Sequence, residues 1–135
     1  MKINYFKKYF TPAEAQRTLP LVKRIVEDIL NLGYDLRTLM TMLGDDAADN
    51  PQIQAMMEQL KDYFLELEQL GCFYKDWNFS IGLVDFPAII NGKEVFLCWR
   101  SDEESIHYYH EIEAGYAGRQ LIPAELLAEN GEKNS

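Results

Sequence analysis

Apolar residues follow two rhythms along the chain. Leu19, Val22, Val26, Ile29, Leu36, Met40 and Leu43 are separated by alternating three- and four-residue steps with Gly33 at the one missing position, and Ile53, Met57, Leu60, Phe64 and Leu67 repeat the pattern. That period lines one face of a helix and predicts two helices sharing a seam. From Gly82 to Arg100 the pattern changes to two β-rich runs joined by Asn91-Gly92. Asn-Gly favours a two-residue type I′ turn, because both central positions need positive φ. The register then follows: Ile90 faces Lys93, Ala88 faces Val95, Phe86 faces Leu97, Asp85 faces Cys98 and Val84 faces Trp99. Side chains alternate across a strand. Val84, Phe86, Ala88, Ile90, Val95, Leu97 and Trp99 therefore form the core side, and Leu83, Asp85, Pro87, Ile89, Glu94, Phe96, Cys98 and Arg100 the other. Asp85 and Arg100 are diagonal neighbours, within reach of each other.

Boundary chemistry supports this division. Thr11-Pro12-Ala13-Glu14 carries a capping box with proline at the first helical position. Pro20 predicts a kink or restart near Thr18 to Leu19. Gly44 and the polar run to Asn50 form a connection, Asn50-Pro51 opens the second helix, and Gly71 closes it. The short connection implies an antiparallel helical pair. From Pro20 to Leu43 the first helix spans ~36 Å, about the width of a small domain. Protruding helices would leave apolar positions for a second subunit, so a homo-oligomer through the helices is expected.

Elsewhere the pattern is weaker. The aromatic residues of 1 to 10 suggest a short strand or an extended arm packed on the core. Cys72 to Trp77 is a weak strand, and Ile106 to Glu113 alternates as a third strand of the sheet. The expected fold is α+β: a long antiparallel helical hairpin packed on a small antiparallel β-sheet, a meander of three or more strands. Residues 1–129 form one domain, with a short helix at Pro123 to Glu129. Residues 130–135 are a polar tail expected to be disordered.

A net charge of -9 and a pI near 4.6 oppose binding to nucleic acid or an anionic membrane surface. No run approaches the ~20 apolar residues of a membrane span. The N-terminus lacks the apolar stretch of a signal peptide, which predicts a cytoplasmic protein with Cys72 and Cys98 as free thiols.

Candidate chemistry is sparse. His107-Tyr-Tyr-His110 invites a metal reading, but on a strand the two histidines point to opposite sides and cannot chelate one ion as neighbours. The register of this strand decides its faces. One register puts His107, Tyr109, Glu111 and Glu113 beside Asp85 and Arg100; the other puts His110 beside Cys98 and Asp85. Asp85, Cys98 and Arg100, joined by His110 or Glu103, could activate a thiolate. The competing reading is an Asp85–Arg100 ion pair beside an apolar Cys98. Gly115-Tyr-Ala-Gly118-Arg119 reads as a turn whose glycines supply positive φ, with Arg119 tied to a carboxylate. Gly-Lys-Ser, Ser-His-Asp and Cys-x-x-Cys patterns do not occur.

Gly82-Leu-Val-Asp-Phe-Pro-Ala88, Leu97-Cys-Trp-Arg100, His110-Glu111 and Gly115-Tyr-Ala-Gly-Arg119, with Thr-Pro-x-Glu-Ala and Leu-Pro-x-Val of the first helix, resemble a conserved prokaryotic family called domain of unknown function 2203. The family pattern usually has Gly-Glu and Trp-His where Asp102-Glu103 and Tyr109-His110 stand here. The resemblance covers nearly the whole chain and implies no activity. It singles out Asp85, Cys98, Trp99, Arg100, Glu103, His110, Glu111 and Arg119 as candidate binding-site residues. These readings together favour a small binding or interaction protein with a polar site at the sheet end, without cofactor, over an enzyme. The alternative is a small enzyme or metal-binding protein using the Asp/Cys/Arg/His cluster.

Overall fold

A computed structural model describes residues 6–76 and 78–127. Helix α1 runs from Pro12 to Leu43 and helix α2 from Pro51 to Leu70, with a single 3-10 turn at Gly44–Asp46 between them. A five-stranded antiparallel sheet follows in chain order: β1 Phe73–Tyr74, β2 Leu83–Ile90, β3 Lys93–Arg100, β4 Tyr108–Glu111 and β5 Gln120–Leu121. The fold is α+β with a meander sheet. Among the described residues, no helix is long and apolar enough to cross a membrane.

Local signals set the boundaries. The Thr11 hydroxyl accepts from the Glu14 N–H and the Glu14 carboxylate accepts from the Thr11 N–H, closing the capping box. Asn50 Oδ1 accepts from the Gln52 and Ile53 amides, and Gly71 ends α2 at φ 102°, a conformation that favours glycine. The restart expected at Pro20 does not occur, and α1 is continuous through it. Pro20 lies on the exposed side, where water can serve the carbonyl that lacks its helical donor. On the opposite face Leu19, Val22 and Val26 are buried and hold the helix to the core.

Those side chains join Val84, Phe86, Leu97, Trp99 and, from α2, Ile53, Leu60 and Leu67 in one core cluster. Gly82 marks a close approach between layers: a Cβ there would stand 2.4 Å from Val26 Cγ1. Further along the helices the seam opens to solvent, leaving Met40 and Met57 exposed. The aromatic arm reads correctly where it is described. The Phe10 N–H donates to the Pro87 carbonyl at 2.7 Å, and Phe6 packs on Phe73 and Phe96 on the sheet face away from the core. A helical turn occupies 124–127; the remainder of the expected short helix and the expected disordered tail lie outside the described residues.

Candidate functional site

The β2–β3 ladder pairs Leu83 with Arg100 through Ile90 with Lys93, as the Asn91-Gly92 turn requires. Asp85 and Cys98 are therefore direct neighbours on one face. On the next strand Phe96 pairs with His110 and Cys98 with Tyr108. This register gives His110 to the face of Asp85 and Cys98 and turns Tyr109 and Glu111 the other way. Of the two registers open in the sequence, the one bringing His110 beside Cys98 and Asp85 is realised.

The three side chains converge. One donor atom from each of Asp85, Cys98 and His110 lies within 4.8 Å of the others, and all three residues are buried. His110 Nε2 stands 3.2 and 3.3 Å from the two carboxylate oxygens of Asp85. Its Nδ1 lies 2.8 Å from the Glu111 carbonyl, an acceptor, so Nδ1 carries a proton and donates it there. Burial works against a charged ring, but the hydrogen bonds to Asp85, Cys98 and the Glu111 carbonyl and the Asp85 charge outweigh it and push the His110 pKa up to about 10. The trio closes the floor of a cleft of about 260 Å³ whose walls include Lys75, Leu83, Phe96, Ile112 and Tyr116. Lys75 Nζ sits 5.3 Å from the centre of the Phe96 ring.

The remaining candidates form a second, adjoining network. Arg119 Nη2 donates to Glu103 Oε1 at 2.7 Å and to the Cys98 carbonyl at 3.0 Å, tying it to the strand that carries the thiol. Glu103 Oε1 also accepts from the Arg100 backbone N–H at 2.9 Å, and the Glu103 carbonyl accepts from Trp99 Nε1 at 2.8 Å. The Arg119 guanidinium lies 4.2 Å from the Tyr108 ring centre and 5.0 Å from that of Tyr116. Burial opposes its charge, and the hydrogen bond to Glu103 with the Glu103 charge more than restores it. The predicted tie between Arg119 and a carboxylate is thus present.

The expected Asp85–Arg100 pair is not. Arg100 donates from Nε and Nη2 to Asp102 at 2.7 and 2.8 Å and from Nη1 to the Tyr116 hydroxyl, while Asp85 turns to His110. A carboxylate two residues along the turn captures the guanidinium in a two-pronged contact that Asp85, on a ladder rung, cannot offer. The hydrogen bond from Arg100 holds the Asp102 carboxyl below its usual range. Trp99 points into the core, and the exposed Glu111 side chain pairs with Lys93 at 3.0 Å. His107 is exposed beside the Ser105 hydroxyl, away from the trio. Gly115 does adopt φ 65°, but Gly118 is small for another reason: a Cβ there would stand 2.5 Å from that of Ala114.

Lys75 and Tyr116 were not singled out by the sequence as site residues. Lys75 follows a strand of two residues, too short to show alternation, and Tyr116 sits in a turn whose sequence signal is its glycines.

No curated protein and no solved structure matches the chain significantly. The family model described as an uncharacterized conserved protein, DUF2203, matches residues 8–122 and so takes in α1, α2 and β1 to β5. The chain belongs to that family.

Proposed function

We propose that this protein binds a divalent transition-metal ion of the zinc class through Asp85, Cys98 and His110. The observation that carries this reading is the orientation of the imidazole. In a thiol nucleophile activated by a histidine and an acid, one ring nitrogen faces the thiol and the other the acid. Here Nε2 faces Asp85, the convergence point of the donors, while Nδ1 is committed to a backbone carbonyl. That commitment keeps the Nδ1 proton on the carbonyl and leaves Nε2 as the nitrogen that can ligate an ion once the ion displaces its proton, the usual outer-shell support of a metal-binding histidine.

The donor set fits the chemistry. Thiolate, imidazole and carboxylate together suit zinc, with bonds of ~2.0–2.3 Å that imply ~3.3–3.7 Å between donors in a tetrahedron. Nε2 and Asp85 already stand 3.2 Å apart, and the full set needs to close from within 4.8 Å. Binding would deprotonate Cys98 and remove the proton shared by His110 and Asp85.

The test is cobalt(II) substitution with elemental analysis of protein purified without chelator. One ion per chain with a thiolate-to-cobalt absorption band is expected, lost in Cys98→Ser and strongly weakened in His110→Ala. Wild-type protein that retains no zinc and shows no such band, or His110→Ala that binds equally well, overturns the reading.

A further inference from the structure

Resting on that metal site, we propose that the cleft admits a short-chain organic carboxylate, a small monoanion, to the coordination position that three protein donors leave open. Zinc sites with three protein ligands keep a fourth position for water or a ligand, and the trio here forms the floor of a cleft rather than a closed cage. The cleft's chemistry then selects the occupant.

Charge comes first. A divalent ion with one carboxylate and one thiolate is neutral at the floor. Two guanidiniums lie nearby, but each is spoken for: Arg100 by Asp102 and the Tyr116 hydroxyl, Arg119 by Glu103 and the Cys98 carbonyl. Among the described residues that line this cleft, Lys75 is the cation with no carboxylate on it. One positive charge that rests on a ring face rather than on a carboxylate balances a monoanion, whereas phosphate, with close to two charges, would be left short. The Tyr116 hydroxyl accepts from Arg100, so its own proton is available to an oxygen in the cleft.

Size and polarity agree. About 260 Å³ is below the range of drug-sized sites and suits a molecule of a few carbon atoms. Leu83, Phe96 and Ile112 supply apolar wall for its body, while the ion, Lys75 and Tyr116 meet its carboxylate. A bare inorganic anion would leave those walls unused.

The experiment titrates the cobalt(II)-loaded full chain with acetate, butyrate and inorganic phosphate, following the visible cobalt spectrum. Saturable changes are expected with both carboxylates, tighter for butyrate, with phosphate at least tenfold weaker. Lys75→Met, which leaves the metal ligands intact, should weaken butyrate by about tenfold, the effect of losing one partly solvated charged contact. Tyr116→Phe should weaken it by a smaller factor. A cobalt-loaded protein whose spectrum ignores carboxylates, responds equally to phosphate, or binds butyrate unchanged in Lys75→Met refutes the carboxylate site while leaving the metal reading intact. Absence of the thiolate-to-cobalt band before any titration refutes both.

Discussion

Removing the Glu103 carboxylate tests whether the Arg119 network holds the sheet end together. Glu103 and Arg119 side chains are only 16% and 13% exposed. In Glu103→Ala the guanidinium keeps its bond to the Cys98 carbonyl and its two tyrosine rings but loses its counter-charge, and the Arg100 N–H loses its acceptor. Breaking a fully buried pair costs ~3–5 kcal/mol; with the remaining partners and partial exposure the expected loss is about 2–3 kcal/mol. For a chain of this size that lowers the melting midpoint by ~8–12 °C. Glu103→Ala combined with Arg119→Met should recover at least half the loss, because the orphaned charge is gone while the apolar stem is kept. Thermal unfolding by circular dichroism measures these two variants and Arg119→Met alone. A single variant that falls by under ~2 °C, or a double variant as unstable as the sum of the two singles, shows that the pair is not coupled as argued.

Three further outcomes are expected. In Gly82→Ala the added methyl meets Val26 Cγ1 at 2.4 Å, and a β-branched helix residue has little rotamer freedom to yield. Urea midpoints should record an overpacking loss of ~1–3 kcal/mol. Gln16→Ala removes both bonds to the Ile106 backbone, at 2.7 and 3.1 Å, and should cost ~1–2 kcal/mol in the same assay while weakening cobalt binding more than Gly82→Ala does. Burial pushes the Cys72 thiol up to about 12 despite Lys8, whereas Cys98 lines the cleft. Both thiols are buried, so Ellman's reagent should find two slow thiols after chelation, the earlier one being Cys98 and therefore absent in Cys98→Ser, and that earlier phase should be suppressed in zinc-loaded protein; an earlier phase that persists in Cys98→Ser would contradict this assignment.

The parts of the fold written in local chemistry were legible. Asn91-Gly92 announced the hairpin and, through it, the placement of Asp85 opposite Cys98. Thr11 and Asn50 announced the starts of both helices. What could not be read was the strand after Ser105, where both alternating sets contain apolar and polar members. Its more apolar set, Ile106, Tyr108, His110 and Ile112, looks suited to the core. The chain instead buries Ile106 before the strand begins, and Tyr109, not Tyr108, lies opposite Leu97. Alternation misleads here because the face away from the helices is not simply solvent. Phe6, Phe73 and Phe96 cover it beside His110. The Asp85–Arg100 pairing failed for a related reason, since cross-strand proximity says nothing of a closer competitor such as Asp102.

That register is what builds the site, and it is fixed from outside the trio. Gln16, on α1, donates to the Ile106 carbonyl and accepts from the Ile106 N–H, clamping the backbone two residues before β4. Arg119 reaches the Cys98 carbonyl from beyond β4, and the Ile122 N–H closes on the His107 carbonyl. A slip of one residue would carry His110 to the core face and leave Asp85 buried without the partner it has now. The helix and the Arg119 turn therefore do more than shelter the sheet: they select, between two nearly equivalent alternations, the one that aims an imidazole at a carboxylate and a thiol. Of the polar residues that the sequence offers as candidates, Asp85, Cys98 and His110 meet at the cleft floor, Glu103 and Arg119 hold the neighbouring strands where such a meeting is possible, and Glu111 does neither, its exposed side chain being paired with Lys93.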